Sequence, residues 1–372
     1  MRRGARIVIF NLAIVGGGPG GCAAAIVAAR KGARVLLLER TRFPRHKVCG
    51  EFVSAESLEL LQNLLANDFR HLLTRSPRIS NSRIFLDGSM LEARIDPPAA
   101  SIARFDLDAA LWETCCLEGV ETHAETVVKS VEGSGPFRIT AGQQVFEAEI
   151  VINASGRWSS FTSPEVRARN SEEKWIGIKA HFHEASAAPS TDLYFFDGGY
   201  CGVQPVSTDT NGLGTRINAC AMVRADVANT LSAVLRLQPT LHERSRTWKP
   251  AMETVSTSPL VFRKPEPVQN AMLQVGDAAA FVDPFVGDGI SLALRSGALA
   301  AECLHPFFRR ERSLQQAATL YESLYHERLG RVFKISSMLR GWLRWPRPIR
   351  RPMFSLISRA EFISRQMVKL TR

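Results

Sequence analysis

The residues best suited to chemistry begin with Gly16, Gly18 and Gly21, a G-x-G-x-x-G loop directly after the apolar run 12–15. Absent side chains let a backbone approach a pyrophosphate, and Pro19 opens the next segment, where helix N–H groups carry about half a positive charge. Glu39 ends the following apolar run, 23 residues after Gly16, where an acid accepts hydrogen bonds from ribose hydroxyls; Arg40 comes next. A carboxylate there repels a 2′-phosphate, so the loop disfavours a phosphorylated nicotinamide nucleotide. The loop alone reads equally well as an ordinary strand–helix turn. Strand, loop, helix and acid together predict a dinucleotide site.

A second group surrounds Cys49 and Gly50, preceded by Arg45, His46 and Lys47. Those cations can depress a thiol pKa, making Cys49 a candidate catalytic residue; equally, they can hold phosphate or ribose, and a buried cysteine is often a small apolar filler. A third group is Asp277, followed by Asp283-Pro284-x-x-Gly287-x-Gly289 at the head of an Ala- and Leu-rich stretch. His181 and His183 form an H-x-H pair without a completing Cys, Asp or Glu, so no metal is assigned and an exposed strand face is expected.

These residues must be held by elements. Residues 12–15 read as a buried strand, 20–31 as a helix ending before Gly32 and 34–38 as a second strand, a βαβ opening that sets an α/β class. Residues 83–95 form a hairpin about Asp87-Gly88; 105–117 is helical, and strands return at 126–128 and 149–153. Antiparallel sheet is expected at 174–183, at 192–196 with the Gly198-Gly199 turn, and around Asn211-Gly212. The cofactor unit is therefore discontinuous, over 1–75, 101–165 and 265–310. A substrate-facing sheet occupies 76–100 and 166–264, and 311–372 forms a basic helical tail.

The 372 residues are 45% apolar and 22% charged, a globular composition with no stretch of the roughly 20 apolar residues needed to span a bilayer. Three arginines before an apolar run imitate a secretion signal, but the run leads into the glycine loop and not a cleavage site. Seven cysteines without a C-x-x-C pair fit a reducing cytoplasm. Net charge is +11, yet residues 331–372 hold eleven Lys or Arg against the single acid Glu361, leaving the body nearly neutral. No recognition motif accompanies that charge, so nucleic acid is not expected. The tail interleaves arginines with Trp342 and Trp345, and Met353, Leu356, Ile357, Ala360, Ile363 and Met367 share one helical face. Such a segment either binds an anionic membrane or folds back on the body, so the protein is expected to be cytoplasmic, with membrane association open.

Residues 273–302, LQVGDAAAFVDPFVGDGISLALRSGALAAE, resemble the second FAD motif of the class A flavoprotein monooxygenase and geranylgeranyl reductase superfamily. The resemblance implies that Asp277 binds the ribityl chain and that Pro284, Gly287 and Gly289 lie against the flavin ring, where a helix N-terminus favours negative charge on the reduced ring. Residues 43–54 are similar to the reductase-branch segment whose Cys-Gly pair sits near the ring. Arg104-x-x-Leu107-Asp108 resembles the family's cofactor-contacting helix start, and 151–160 its strand before a Gly, with Ser155 at the variable place before Gly156. Val127 falls on the same cofactor path.

The implied fold is a Rossmann-like FAD-binding domain of glutathione-reductase type, interleaved with an antiparallel-sheet domain and followed by a helical tail. The implied cofactor is FAD, with NADH or NADPH as a transient electron donor. A monooxygenase hydroxylating or epoxidising a small hydrophobic or aromatic metabolite is expected, as the commoner activity of the superfamily. The alternative is a geranylgeranyl-reductase-like enzyme reducing an isoprenoid or other double bond. A halogenase fits less well, because no lysine lies between Lys47 and Lys129 and no WxWxIP signature is present. Gly202 and Gln204 stand in 199–206 where the halogenase branch has large apolar residues, and the segment also departs from the reductase branch's aromatic motif. Nothing positive favours a non-enzymatic redox sensor.

Overall fold

The computed structural model describes residues 9–158, 174–207, 212, 214–260, 262–281, 283–343 and 345–359. β1 (Ile9–Val15), α1 (Pro19–Arg30) and β2 (Val35–Leu38) form the opening unit, with β1 and β2 parallel and Leu12 opposite Val35. All of β2 and the last four residues of β1 are buried, as apolar strands covered on both faces require.

The chain then crosses to a second sheet through β3 (Phe52–Val53), α2 (Ala55–Leu64), α3 (His71–Arg75), β4 (Arg78–Leu86) and β5 (Ser89–Ser101). The hairpin between β4 and β5 turns through Asp87 and Gly88, with φ of 52° and 83°, the paired positive values of a tight hairpin. After α4 (Arg104–Leu117) the first sheet resumes with β6 (Glu121–His123), β7 (Val128–Glu132), β8 (Phe137–Ala141) and β9 (Gln144–Asn153). The second sheet continues with β10 (Trp175–Glu184), β11 (Ser190–Phe196), β12 (Gly199–Pro205) and β13 (Thr215–Arg224). It ends, after α5 (Leu231–Leu235) and α6 (Pro239–Ser245), with β14 (Lys249–Pro250) and β15 (Val255–Thr257). β16 (Val268–Gln269) and β17 (Met272–Gln274) return to the first sheet, and α7 (Gly289–Phe308), α8 (Leu314–Leu343) and α9 (Arg347–Arg359) complete the chain.

Among the described residues the first sheet runs β16-β17-β9-β1-β2-β6, with β8 joining β9 to β7. The second runs β14-β10-β13-β12-β11-β4-β5-β3, with β15 on β10. One strand departs from the sequence-based division: β3, inside the stretch assigned to the cofactor unit, pairs with β5 through Phe52 and Ser101. Two residues are too few for periodicity to reveal. Thr126 and Val127 precede β7 and lie outside it, and Asn211 lies outside the described residues.

α7 crosses α1 so closely that a Cβ on Gly297 would sit 2.0 Å from the Gly20 carbonyl oxygen. Ile14, Ile26, Leu37, Leu107, Ile290 and Leu294 fill the core between these helices and the first sheet. α8 folds back on that core, burying Tyr321, Tyr325 and Phe333, and the Tyr321 hydroxyl donates to the Gln274 carbonyl at 2.8 Å.

α9 folds back on the body through one face, as one of the two readings of the tail expected. Phe354 packs on Leu86, Leu91 and Ala93, and Arg350 grips Asp87 through Nε at 2.8 Å and Nη2 at 2.9 Å. Ile349 on the other side is 57% exposed, with Arg347 and Arg351 exposed beside it and Trp345, 47% exposed, just before the helix. The side chains of Met353, Leu356 and Ile357, and all of Ala360, Ile363 and Met367, lie outside the described residues. No described helix is long and apolar enough to cross a membrane.

Candidate flavin site and substrate pocket

The glycine loop is built as its spacing requires. Gly16 has φ 112°, and a Cβ there would lie 2.3 Å from the Ala154 carbonyl oxygen; one on Gly21 would lie 1.9 Å from the Gly16 oxygen. Those glycines are demanded by the fold itself. A Cβ at Gly18, Gly50, Gly156 or Gly289 meets no protein atom within 4 Å, so these four open onto unfilled space that a bound group can occupy. Gly18 caps α1 without a side-chain hydrogen bond, Pro19 follows it, and no acid stands in the first turn. The free N–H groups therefore face an anion without competition.

Glu39 is 5% exposed and directly follows β2. Its Oε2 accepts from the Gly17 N–H at 2.8 Å; Oε1 accepts from the Thr41 N–H at 3.0 Å and from Arg45 Nη1 at 2.7 Å. Burial opposes the charge, but Arg45 and the hydrogen bonds outweigh it and hold the carboxyl below its usual pKa. Arg40 is exposed and Val127 is 54% exposed; Thr126, next to Val127, donates its N–H to the Glu39 carbonyl at 2.8 Å. Arg45 stacks over Phe43 at 4.6 Å and reaches Asp108 at 3.7 Å. Arg104 forks onto Asp108 at 2.6 and 2.7 Å. Lys47 is pushed down to about 8, first by burial and then by Arg45 and Arg104.

Ser155 is folded inward, its N–H and hydroxyl donating to Asn153 Oδ1 at 3.1 and 2.6 Å, while Gly156 turns with φ 77°. Asp277 lies 3.6 Å from Arg157, and its carbonyl accepts from Arg263 at 2.8 Å. Gly287, with φ 81°, closes a short turn from Pro284, and a Cβ there would crowd the Phe52 ring at 3.1 Å. Loop, Arg157–Asp277 and turn thus converge from three distant parts of the sequence.

Beside the turn lies an apolar pocket of about 200 Å³. Val48, Cys49 and Gly50 form one wall and Pro284, Phe285 and Gly287 the next. Leu193, Phe195, Tyr200 and Met222 supply the sheet floor, and Leu339, Trp342, Leu343 and Phe354 of the tail close the far end. Gly202 and Gln204 also line it, so the departures from the larger apolar residues leave room. The Tyr200 ring meets Phe285 edge-on at 5.8 Å, and its buried hydroxyl is pushed well above the usual phenol range by burial and by Asp283. Asp283 is raised to about 6 by burial, although Arg340 pulls the other way from 3.0 Å.

Sequence reasoning missed one group. His181 is not on an exposed face: it is 3% exposed, and its Nε2 lies 2.8 Å from Glu51 Oε2. The fully buried Lys179 pairs with Glu51 Oε1. β10 faces its even-spaced residues toward the segment after Cys49. A lysine inside the apolar run IGIKAHFH was the available signal, but its partner lies 128 residues away in the chain. All seven cysteines are free thiols, and among the described residues no three His, Cys, Asp or Glu side chains are grouped to hold a metal.

Fold and site together show a glycine loop of dinucleotide-binding type on one sheet and an apolar pocket on the other. A family model described as FAD dependent oxidoreductase matches residues 11–157. The digeranylgeranylglycerophospholipid reductase 2 of Methanopyrus kandleri is 24% identical over 87% of this chain and 84% of its own length. The menaquinone reductase of Mycobacterium tuberculosis is 26% identical over 91% of this chain and 85% of its own. In architecture the chain is similar to a flavin-dependent brominase, with TM-score 0.74 and 19% identity over 98% of this chain and 94% of that one. By these likenesses the chain is an FAD-dependent oxidoreductase.

Proposed function

We propose that this enzyme reduces a double bond in a long apolar substrate of isoprenoid type, taking electrons from NADH or NADPH. The observation that carries the reading is the apolar pocket from Cys49–Gly50 and the Pro284–Gly287 turn to the tail. Two reductases similar to this chain are named for lipid and quinone substrates. When bound, the flavin supplies the hydride chemistry. The chain's own residues bind and orient. The α1 N-terminus and Arg45 neutralise phosphate, Glu39 holds ribose, and Asp277 reaches the ribityl chain. Val127 and Arg104 lie along the same path, and Gly287 and Gly289 admit the ring. Saturation adds a hydride to one carbon and a proton to the other. Oxygenation, the activity expected from the superfamily's commoner chemistry, has no pocket residue that specifically favours it.

The exposed side chains at α9 support docking on an anionic membrane, since Trp345 and Ile349 can enter the interface while Arg351 meets headgroups. The test is to supply NADPH or NADH and a polyprenyl quinone or geranylgeranyl lipid in vesicles, and to weigh the product. Gain of two hydrogen atoms is expected; gain of one oxygen atom would restore the monooxygenase reading.

A further inference from the structure

Behind Cys49–Gly50, on the side away from the pocket, lies a set of buried charges with no part in the scheme above. Glu51 is fully buried and holds φ 64°, a left-handed conformation unusual for a side-chain-bearing residue. Its carboxylate is gripped from three sides: the Arg104 N–H donates to Oε1 at 2.8 Å, Lys179 Nζ pairs with the same oxygen, and His181 lies on Oε2 at 2.8 Å. Burial opposes the charge on Glu51, but His181 and Lys179 outweigh it and hold the pKa below its usual value. The main chain is held as well. The Glu51 N–H donates to Cys49 Sγ at 3.3 Å, and the Ile102 N–H donates to the Glu51 carbonyl at 2.9 Å. Asn218 Nδ2 donates to the carbonyls of both Cys49 and Gly50 at 3.0 Å.

The grip joins the two sheets. Lys179 and His181 stand on β10, opposite Cys220 and Asn218 of β13, and Gly177 and Cys220 of the same strands line the pocket. On the other side, Arg104 carries the contact to Asp108, which Arg45 links to Glu39 at the dinucleotide loop. His46 meets the His181 ring edge-on at 5.9 Å, and Asp106, raised by burial, faces Arg216, Glu51 and His181.

Resting on the flavin reading above, we infer that Glu51, Lys179 and His181 are positioning residues. They clamp the Cys49–Gly50 wall in place and balance the charge behind it, so that the electron affinity of the site depends on the pair remaining neutral. A carboxylate taken away leaves an ammonium ion facing the site, which favours the more negative reduced flavin. A lysine taken away leaves a carboxylate, which disfavours it.

The test is a potentiometric titration of the holoenzyme, read from flavin absorbance, in Glu51→Gln, Lys179→Met and the double variant. The midpoint potential rises in Glu51→Gln. It falls in Lys179→Met and returns near the parent value in the double variant. Shifts of one sign in both single variants, or none, would overturn charge balance. If either single variant does not fold, the neutral pair in the double variant still tests the clamp through alkylation of Cys49 in the holoenzyme. Labelling several-fold faster than in the parent supports it, and an unchanged rate sinks it. These readouts need no substrate, so they can fail while the proposed reduction stands.

Discussion

Gly16 shows how narrowly single residues are constrained. At φ 112° with a carbonyl 2.3 Å from any added Cβ, Gly16→Ala meets both strain, about 1–3 kcal/mol, and a backbone collision. The purified variant is expected to bind FAD at least about tenfold more weakly, since 1.4 kcal/mol is one decade, as measured by flavin fluorescence on titration. Asp283 makes a pH-dependent prediction. Its folded pKa of about 6 exceeds the ordinary 3.8, so the native state binds the proton more tightly. Its penalty is absent below about pH 4, grows as pH rises and is complete above about 6, amounting to roughly 2–3 kcal/mol. Urea titrations from pH 4 to 7 should show this decline, and Asp283→Asn should flatten it. A decline of equal slope in the variant would assign it to other groups. The glycine loop and Glu39 were legible in the sequence because their spacing is local. Glu51, Lys179 and His181 were not, because ion pairing between residues 128 apart leaves no periodic trace.

Elements transmit these constraints. The α1–α7 crossing depends on Gly297 as much as on Gly20, so Gly297→Leu forces the helices apart and costs about 1–3 kcal/mol or more. Because α1 presents the phosphate-binding end, FAD affinity should fall with thermal stability; stable protein with unchanged affinity would separate the two. At the tail, Asp87→Asn weakens the hold on Arg350 and Arg347, and limited proteolysis after residue 340 should accelerate several-fold. Independently, Trp345→Glu with Ile349→Glu should abolish flotation with anionic vesicles, while 0.5 M-scale salt, roughly halving the Debye length, should weaken flotation of the parent. Equal flotation of variant and parent would remove the membrane from the scheme. The opening βαβ unit, the Asp87-Gly88 hairpin and α4 followed from apolar pattern and turn chemistry. β3 did not, since two residues acquire strand character only from the sheet they join.

At the scale of the whole molecule, the chain visits the first sheet, the second, the first, the second and the first again before its terminal helices. Three of the four crossings leave residues at the junction: Cys49 and Gly50 on the first outward passage, Arg104 on the return, and Arg157 before the next. The junction is therefore where the pocket forms, and pocket shape was the part of function least visible in sequence. The motif at 273–302 marks the cofactor, whereas Gly202 and Gln204 show their meaning only once they are seen lining the cavity.

The tail has a consequence for how specificity can change. The wall at Cys49–Gly50 and the Pro284–Gly287 turn is made by residues before 290, but Leu339, Trp342, Leu343 and Phe354 of the tail also line the pocket. On the function proposed above, redox machinery and substrate length belong to different stretches of the chain, joined where Ser336 and Arg340 meet Asp283. On that same function, a chimera that keeps residues 1–340, and with them Ser336 and Arg340 on Asp283, and borrows a relative's chain from 341 onward should accept substrates of different length at an unchanged flavin potential, much as a lathe keeps its spindle when the tailstock is moved.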